Sequence, residues 1–411
     1  MKIAIVTQYY KPENAKISNT LAAGLASRGH SVRVVTAYPN FPEGVLYQGY
    51  RQKIAHVERD GEVQVKRVPI VISHSNNPFG RIANYLSFAF SSLQAGRYIA
   101  DADVIYVYAT QMTASIAPMI WSKTRRIPFV LHVQDLWPES VTGSSMVKGR
   151  LLGRLVNAIL TPWLSATYRA SAATIAIAPT MSRMLEARGA PADRLHIVYN
   201  WSDDEAVARN APELIQAVRR RLTVTYAGNV GHLQDLNTII KAVHKLSDLE
   251  GFKLVVVGSG LALPELRDLV ARLGILSVEF RDRVKPNEMA AVYDESDFQL
   301  VALKNLEIFE GTIPSKFQAS LAQGIPVISS VPGDVGQLVA VNGIGFAARA
   351  GDVDSVAQAF RNAYDLSPED RKRMGRRARS FYEEWMTAQA GVDSIERILM
   401  DAAGKWRRLG R

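Results

Sequence analysis

The chain has 411 residues, of which 47% are hydrophobic and 21% are charged, enough for two ordinary globular domains with complete cores. It contains no cysteine, which excludes disulfides, thiolate nucleophiles and cysteine metal sites. The first residues enter a strand pattern without the long apolar core of a signal peptide, and no apolar run reaches the roughly 18 residues of a membrane span. We therefore expect a soluble or membrane-peripheral protein.

The net charge of +10 is concentrated in the first half of the chain. Residues 1–200 hold 22 Lys and Arg against 11 Asp and Glu, whereas residues 201–411 hold 27 against 28. Such an excess suits nucleic acid, an anionic membrane surface or a phosphorylated substrate, and an ordinary solvated surface is an equal alternative. No zinc, helix-turn-helix or RNP-like pattern is visible, so nucleic acid is not an expected partner.

Short β-branched runs alternate with helical stretches in the first half, which predicts buried strands of a parallel sheet. The predicted strands are Ile3–Thr7, Val32–Ala37, Val104–Tyr108, Phe129–Gln134, Thr174–Ala178 and Ile197–Tyr199. Between the first two, residues 18–28 show apolar positions at helical spacing before Gly29. Together with the strands on either side, this helical segment forms a predicted βαβ unit.

The pattern restarts in the second half of the chain. Strands are predicted at Leu222–Ala227, Lys253–Val257, Val278–Phe280, Gln299–Ala302, Pro326–Ser329 and Gly345–Ala347. The fold class is therefore α/β with two facing Rossmann-like domains and a ligand cleft between them, in residues 1–200 and 213–384. The polar residues 201–212 are a predicted hinge, and a helix at about 385–411 is expected to return to the first domain.

The most informative segment is Gly311–Ile328, which places Lys316 in the first turn of a predicted helix. Pro314 suits the first helical position, and Gly324 suits the residue just past the helix end. Unpaired amides at a helix N-terminus, together with a lysine charge, form an anion site. The segment therefore predicts a phosphate-binding position.

Three further strand ends carry glycine or basic residues. They are 228–231 (Gly-Asn-Val-Gly), 258–260 (Gly-Ser-Gly) and 281–284 (Arg-Asp-Arg-Val). Glycines allow backbone amides to approach a diphosphate, although each segment is equally compatible with a tight turn or a solvated loop. None has P-loop spacing, and no Gly-x-Gly-x-x-Gly opens the first helix, which disfavours kinases and dehydrogenases.

The chain resembles the retaining GT-B glycosyltransferases of family 4, closest to bacterial surface-polysaccharide enzymes of the O-antigen and capsule type. The resemblance covers nearly the whole chain and rests on residues 131–140 (LHVQDLWPES), 228–231, 314–316 and 322–327 (AQGIPV). It implies that the first domain binds the acceptor, that the second binds a nucleotide sugar, and that anomeric configuration is retained in a front-face displacement.

The resemblance also implies residue roles. The implied catalytic residues are His132, Asp135 and Lys316, and the implied donor-binding residues are Gly228, Asn229, Val230, Gly231, Arg283, Val284, Ser315 and Lys316. It implies no metal and no cofactor beyond the nucleoside diphosphate sugar, which donates a hexosyl or N-acetylhexosaminyl group. The implied partners are that donor and a lipid-linked or glycan acceptor.

The chain departs from the family pattern at two places. A glutamate that usually accepts hydrogen bonds from the ribose is replaced by Ala319, which cannot accept them. No Arg or Lys follows Gly231 to clamp the diphosphate, a role that Arg281 or Arg283 could fill. Ribose recognition is thus left open, as is the position of the sugar-contacting histidine, because Gln134 stands directly before Asp135.

Two first-domain segments have the composition of interfacial helices. Residues 77–97 and 148–169 are rich in aromatic and aliphatic residues with basic ends, and core helices are an equal alternative. With a lipid-linked acceptor, they predict a cytoplasmic protein that is peripheral on the inner face of the cell membrane and contacts its anionic surface. In the loop 9–18, Lys11, Asn14 and Lys16 are candidates for an anionic acceptor.

Two other classes of function are compatible with the sequence. Ala319 and the missing basic clamp also suit a non-catalytic GT-B relative that binds nucleotide or lipid as a scaffold. A GT-B-like nucleotide-sugar epimerase or a phosphorylase is the enzymatic alternative, and the phosphorylase would carry pyridoxal phosphate. Nucleotide-dependent sugar transfer distinguishes the proposed transferase from all of these.

Overall fold

The structure is a computed structural model that describes residues 1–41, 44–54, 56–72, 78–138, 150–201, 222–285 and 288–408. The described chain divides into two compact units. The first unit contains residues 1–200 and 388–411, and the second contains residues 201–387. Most of the predicted hinge, the end of the motif at 131–140 and Lys148 lie outside the described residues.

The first unit has a mainly parallel sheet of eight strands within the described residues. The strands are β1 (Lys2–Thr7), β2 (Ser31–Ala37), β3 (His56–Asp60), β4 (Val63–Val68), β5 (Val104–Ala109), β6 (Phe129–Val133), β7 (Ala173–Ala176) and β8 (Leu195–Ile197). Their order in the sheet is β3-β4-β2-β1-β5-β6-β7-β8, and only β3 and β4 pair antiparallel. The sequence had not indicated that hairpin, and β8 begins two residues before the predicted strand.

Within the described residues, six α-helices belong to this unit. They are α1 (Lys16–Ser27), α2 (Pro78–Ser92), α3 (Ile116–Arg125), α4 (Arg150–Ala170), α5 (Pro179–Ala187) and, from the later part of the chain, α13 (Ala388–Arg408). The strands β1, β5 and β6 are buried on both faces, as expected for a parallel sheet covered by helices. The core contains Phe88, Trp121, Phe129 and Tyr168.

The second unit has a six-stranded parallel sheet within the described residues. Its strands are β9 (Leu222–Ala227), β10 (Phe252–Val257), β11 (Val278–Arg281), β12 (Phe298–Ala302), β13 (Val327–Ser330) and β14 (Gly345–Ala347), in the order β11-β10-β9-β12-β13-β14. Numbered within the unit, this order is 3-2-1-4-5-6, the Rossmann order. The prediction of an α/β fold with two Rossmann-like domains is confirmed.

The helices of the second unit complete its layers. They are α6 (Leu236–His244), α7 (Leu263–Arg272), α8 (Met289–Asp294), α9 (Ser315–Ala322), α10 (Asp334–Asn342), α11 (Val353–Tyr364) and α12 (Pro368–Trp385). A separate hydrophobic core includes Tyr226, Phe252, Phe298 and Phe360. None of the helices in the described ranges of either unit is both long and apolar enough to cross a membrane.

Helix α13 packs within the first unit against α1, β5 and β6. Arg28 at the end of α1 forms ion pairs with Asp393 and Glu396, and His30 Nε2 lies 2.6 Å from a carboxylate oxygen of Glu396. Trp406 Nε1 donates a hydrogen bond of 2.9 Å to the backbone oxygen of Arg126. Residues almost 370 positions apart in the sequence therefore belong to one folded unit.

Candidate active site

The second unit has a topological switch point between β9 and β12. The chain runs from β9 to its neighbour on one side and later fills the other side from β12 onward. Loops leaving such a pair of strands part in opposite directions and open a crevice at their carboxyl ends. The loop 228–231 follows β9, and the segment after β12 leads to α9. The fold therefore directs both predicted phosphate elements to the same edge of this sheet.

Lys316 and Tyr226 form the centre of this site. The Lys316 ammonium donates a hydrogen bond to the Tyr226 hydroxyl, and Nζ lies 3.8 Å from the centroid of the tyrosine ring. The same hydroxyl donates to the backbone oxygen of Asn229. Burial lowers the pKa of Lys316 to about 8, so the ammonium is still charged at neutral pH but is poorly hydrated. The Lys316 side chain is therefore a fixed, poorly hydrated cation that can bind an anion.

Two glycines create the space that this lysine occupies. Gly228 has a φ of +135°, and a Cβ there would lie 2.5 Å from Cε of Lys316. Gly258, at the end of the neighbouring strand, would place a Cβ only 1.9 Å from the backbone oxygen of Gly228. Any side chain at either position would displace the loop or the lysine. The glycines are thus required by close packing around Lys316.

The amides of the loop 228–231 are mostly used within the protein. The Gly228 and Val230 amides donate to the backbone oxygens of Val257 and Ser259, each at 2.9 Å. The Gly231 amide donates to Oε1 of Gln234 at 3.1 Å, and Val230 is a buried core residue. For the Asn229 amide, the described part of the chain supplies no acceptor. The loop thus presents a single amide rather than the expected cradle of four residues.

Helix α9 begins at Ser315, one residue later than predicted. Pro314 has an extended backbone, with φ −65° and ψ 141°, and occupies the N-cap position. The assignment of Pro314 to the first helical position is therefore wrong by one residue. The amides of Ser315 and Lys316 have no acceptor within the described ranges, as is usual for the first turn of a helix. Gly324 ends the helix as predicted, with a φ of +67°.

The predicted residues Arg283 and Val284 lie beyond the end of β11. Arg283 is exposed, and Val284 is partly buried against Val255, Val257 and Val292. The alternative clamp, Arg281, is already paired with Glu279 and Glu295 at 2.6 and 2.7 Å. Two carboxylates thus neutralise Arg281, which leaves Arg283 as the available guanidinium of that loop.

At the position of the family glutamate, the Ala319 side chain supplies no hydrogen-bond acceptor. Ala319 is partly buried in α9, and Gln318 beside it is buried. Glu307 and Glu310 are exposed, and the backbone oxygen of Glu310 accepts a 2.8 Å hydrogen bond from the Asp334 amide. The segment between β12 and α9 is therefore anchored to the start of α10 through its backbone, while both glutamate side chains reach solvent.

In the first unit, His132 lies within β6 and is completely buried. Its Nδ1 lies 2.6 Å from the Tyr106 hydroxyl, and its ring meets the rings of Tyr106 and Tyr108 edge to face. Burial lowers the pKa of His132 to about 3, which keeps the imidazole neutral. Its Nε2 has no partner in the described structure. When Tyr106 donates to Nδ1, Nε2 carries a proton with no acceptor.

Asp135 follows β6, three residues after His132 in the chain. Partial desolvation raises the pKa of Asp135, although the residue keeps contact with solvent. Its charge in turn contributes to the raised pKa values of Tyr108 and Tyr85. Tyr108, which the sequence reasoning missed, therefore packs against His132 and interacts electrostatically with Asp135. The sequence feature that could have identified Tyr108 is its position as an aromatic residue near the end of the buried strand β5.

The switch point of the first unit, between β1 and β5, is filled by amide side chains. Gln111 donates to Oε1 of Gln8, and Nε2 of Gln8 donates to Oδ1 of Asn84 at 2.6 Å. All three residues are buried. The sequence analysis did not predict these residues, although Gln8 follows β1 and Gln111 follows β5 within two residues of the strand end. This network fixes the loops after β1 and β5 to α2.

A buried carboxyl group and an ion pair also fix the loop after β1. The Glu13 carboxylate accepts hydrogen bonds from the Asn40 and Phe41 amides at 2.9 and 2.8 Å, and burial raises its pKa. Lys11 forms an ion pair with Asp60 at 3.0 Å. Of the three candidates for an anionic acceptor, Lys11 is therefore already partnered within the unit.

Across the described ranges, no group of three or more His, Asp or Glu side chains is arranged to hold a metal ion. The polar side chains described at the two sheet edges include a lysine, phenols, amides, an imidazole and the carboxylates of Asp135 and Glu13. They can bind an anion and donate or accept hydrogen bonds.

The fold matches solved GT-B enzymes over nearly its whole length. The complex of Anabaena HepE with UDP aligns with a TM-score of 0.64 and 17% identity, covering 98% of this chain and 100% of that one. The lipopolysaccharide outer core galactosyltransferase WaaB aligns with a TM-score of 0.66 and 11% identity, covering 98% and 99%. The protein therefore has the GT-B glycosyltransferase fold.

Sequence comparison identifies the family. Residues 15–201 match the glycosyl transferase 4-like domain, and residues 213–381 match the glycosyl transferases group 1. A protein assigned to colanic acid biosynthesis, the glycosyl transferase WcaI of Escherichia coli K12, is 26% identical over 343 residues, which are 79% of this chain and 82% of WcaI. The chain belongs to the group 1 glycosyltransferases, family 4, which retain anomeric configuration and use nucleotide-sugar donors.

Proposed function

We propose that this enzyme transfers a hexosyl or N-acetylhexosaminyl group from a nucleoside diphosphate sugar to a lipid-linked or polysaccharide-precursor acceptor at the inner face of the cell membrane. The second unit binds the donor, and the first unit binds the acceptor. The assignment of WcaI to colanic acid biosynthesis, together with the lipopolysaccharide role of WaaB, supports a surface-glycan acceptor.

The observation that carries this proposal is the geometry around Lys316. A partly buried ammonium stands in the first turn of α9, where the Ser315 and Lys316 amides are unpaired and the helix dipole favours negative charge. Gly228 leaves the space for its side chain, and Tyr226 holds its charged end. These groups suit the diphosphate of the donor.

In the proposed reaction, the bond between the anomeric carbon and the diphosphate oxygen breaks as the acceptor oxygen bonds to the same face of the sugar. The acceptor hydroxyl proton passes to a departing phosphate oxygen. Negative charge grows on the diphosphate during this step, and donors already aimed at it stabilise the transition state. Lys316, the first amides of α9 and the Asn229 amide supply those donors, with Arg283 assisting from the neighbouring loop.

For the first unit, we propose that His132 and Asp135 act on the sugar side of the reaction. The neutral His132 ring offers an unpaired Nε2, which can donate to a sugar hydroxyl once local movement gives access to it. Asp135 follows on the same strand end and is poised to stabilise positive charge that develops at the sugar. Tyr108 contacts the His132 ring edge to face and lies within the electrostatic influence of Asp135.

Membrane association is proposed to involve the first unit. On α2, Ile82, Leu86 and Phe90 recur every four residues and are exposed, Phe90 by 61%. Such a stripe beside basic residues is typical of a helix that lies on a bilayer. In α4, by contrast, Trp163 packs against the core and Leu164 is buried, which favours a packing role for that part of the helix.

The experiment that tests the function combines nucleotide binding with sugar transfer. Thermal unfolding of the purified protein is followed with UDP, GDP and ADP, because a ligand selective for the folded state raises the midpoint. UDP is tried first, since HepE binds it. The expected result is a shift with one nucleotide, which Lys316→Ala removes, and transfer from the matching nucleotide sugar to lipid extracts.

The scaffold alternative is favoured by Ala319, which leaves the ribose without its usual acceptor. It predicts a nucleotide-dependent thermal shift with no transfer from any of the matching nucleotide sugars to lipid extract or glycan. That result would contradict the proposed transferase. Conversion of the donor to a different free nucleotide sugar, without an acceptor, would support an epimerase instead.

A further inference from the structure

Helix α12 in the second unit is unusually rich in cations. It carries six basic residues against four acidic ones. The basic residues are Arg371, Lys372, Arg373, Arg376, Arg377 and Arg379, and the acidic ones are Glu369, Asp370, Glu383 and Glu384. Because α12 lies wholly within the second unit, its two faces can be compared directly.

The inner face of α12 uses its cations for packing. Arg371 forms a 2.7 Å ion pair with Asp297, and both side chains are largely buried. Arg379 donates to the backbone oxygen of Ala322, and Gly375 sits so close to Gly324 that a Cβ would lie 2.4 Å from its oxygen. The inner arginines are therefore structural and have defined partners.

The outer face of α12 is different. Arg373, Arg376 and Arg377 line an open pocket of about 360 Å³ together with Phe381 and Trp385. Arg373 is paired with Asp370, but no carboxylate in the described ranges is within ion-pair distance of Arg376 or Arg377. Ser380, Glu384 and Asn342 complete the lining. Glu384 is therefore the one carboxylate in this lining beside three guanidinium groups, of which Arg373 is already paired with Asp370.

The rim of this pocket is apolar and exposed. Trp385, which lines the pocket, is 48% exposed. Neighbouring guanidinium groups repel one another, and although Arg377 packs against Gly343 at the end of α10, neither Arg376 nor Arg377 has an ion-pair partner in the described ranges. An anion between them would relieve that repulsion, and the planar guanidinium fork binds phosphate with two parallel hydrogen bonds.

We propose that this pocket binds the phosphate headgroups of anionic lipids and thereby docks the second unit on a bilayer. The exposed indole favours a lipid source over a soluble phosphate, because tryptophan prefers the boundary between water and hydrocarbon. The inference rests on the proposed function, since a lipid-linked acceptor brings the enzyme to a membrane. It adds a contact on the donor-binding unit that is separate from the α2 stripe.

The test measures flotation of the full-length protein with vesicles of phosphatidylcholine containing roughly 30% phosphatidylglycerol, and with pure phosphatidylcholine. The variant is Arg376→Gln with Arg377→Gln. Each basic side chain near an anionic surface strengthens binding about fivefold, so the expected loss of partitioning is about 25-fold. The matched control is Lys241→Gln with Arg272→Gln, which removes the same charge from exposed positions on other helices and should change partitioning less than twofold.

Three outcomes overturn the docking proposal. Equal losses in the variant and the control would mean that only total charge matters. Unchanged flotation of the Arg376 and Arg377 variant would mean that the pocket does not face lipid. A thermal shift with inorganic pyrophosphate that the variant loses, without any change in flotation, would assign the pocket to a soluble phosphate.

Unfolding midpoints of both double variants should match the wild type, because neither changes a partnered residue of the inner face. Sugar transfer to a detergent-solubilised acceptor separates this inference from the proposed function. If the variant keeps that activity but loses flotation, both proposals stand. If the wild type transfers sugar and the variant floats normally, the docking proposal alone fails. If the wild type transfers no sugar, the proposed function fails whatever the vesicles show.

Discussion

The two sheets of this enzyme place opposite chemistry at the carboxyl ends of their strands. In the second unit, the edge holds a charged lysine that stacks on a phenol and adjoins unpaired amides. In the first unit, the edge holds a neutral imidazole sealed among tyrosines and a chain of amide side chains that satisfy one another. Similar sheet architecture can therefore prepare one domain for an anion and the other for an uncharged ligand.

This difference has a physical logic in a sugar transferase. The diphosphate carries charge before, during and after the reaction, so a fixed cation is useful throughout. The transferred sugar is neutral in the ground state, and it is recognised mainly by hydrogen bonds. Burial lowers the pKa of His132 to about 3, so the imidazole at the first edge is uncharged at neutral pH. The pKa of Lys316 is about 8, so the ammonium at the second edge stays charged.

The largest effect is expected from Lys316→Ala, which removes the charge from the second edge. We expect kcat/KM to fall by about 10²- to 10³-fold, the usual result of deleting one donor to a developing anion. Steady-state transfer kinetics measure the loss, with Lys372→Ala, an exposed lysine of the same unit, as the control. Activity within threefold of the wild type would show that the leaving group is held elsewhere.

Gly228→Ala tests whether the lysine needs the space that the glycine provides. The added Cβ would clash with Cε of Lys316 at 2.5 Å, and a misplaced catalytic group can lower the rate by about 10- to 100-fold. The control is Gly274→Ala, where φ is also positive but nothing lies within 4 Å of the added Cβ. Equal activity losses in the two variants would indicate general backbone strain and no specific effect on Lys316.

His132→Phe tests the first edge by replacing the imidazole with an apolar ring. Losing one hydrogen bond to the sugar should lower kcat about tenfold while the protein stays folded. If kcat per folded molecule is unchanged, the histidine has only a packing role.

The same variant has a signature in stability. The folded pKa of His132 is about 3, below the usual value of 6.5, so the unfolded chain binds a proton that the folded protein excludes. Stability from this group is present above pH 6.5 and is lost as pH falls toward 3. Denaturant unfolding should show a slope of about 1 kcal/mol per pH unit between pH 6 and 4, and His132→Phe should reduce it. An identical slope in both proteins would contradict the buried neutral state.

The smallest effect is expected from Tyr226→Phe, which keeps the aromatic ring over the lysine but removes the hydroxyl. Loss of one hydrogen bond should lower kcat/KM about threefold to tenfold at pH 7. The hydroxyl accepts from the ammonium and so favours the charged lysine. The alkaline limb of kcat/KM, expected near pH 8, should therefore move to lower pH in the variant. A limb that moves to higher pH would show that the phenol does not stabilise the charge.

Much of the architecture could be predicted because it depends on local pattern. Buried parallel strands appear as short β-branched runs, and almost all of them were located within two residues. The β3 and β4 hairpin was missed because β3 has a single aliphatic residue and the two strands carry several charged residues, among them Glu58, Lys66 and Arg67. Arg67 is in fact buried, paired with Glu58 and bonded to the backbone oxygen of Ala37, which no local pattern indicates.

The candidate site was only partly predictable because its contacts join distant residues. Lys316 was identified from its helix start, but its partner Tyr226 lies 90 positions earlier. The loop 228–231 was identified from its glycines, yet three of its amides are used internally, one of them by the side chain of Gln234. His132 looked like an accessible strand-end residue, and its complete burial depends on Tyr106 and Tyr108 from the neighbouring strand.

The position of α13 determines the order in which this protein can be assembled. Its residues are synthesised after the entire second unit, yet they cover α1 and contribute Val392 against Gly24. During synthesis, the first unit therefore stays incomplete, and the apolar face of α1 stays uncovered, while roughly 190 later residues emerge and fold. In the sequence, the second unit is an insertion within the first. The first unit, which is incomplete for longer, is therefore expected to depend more on chaperones than the second.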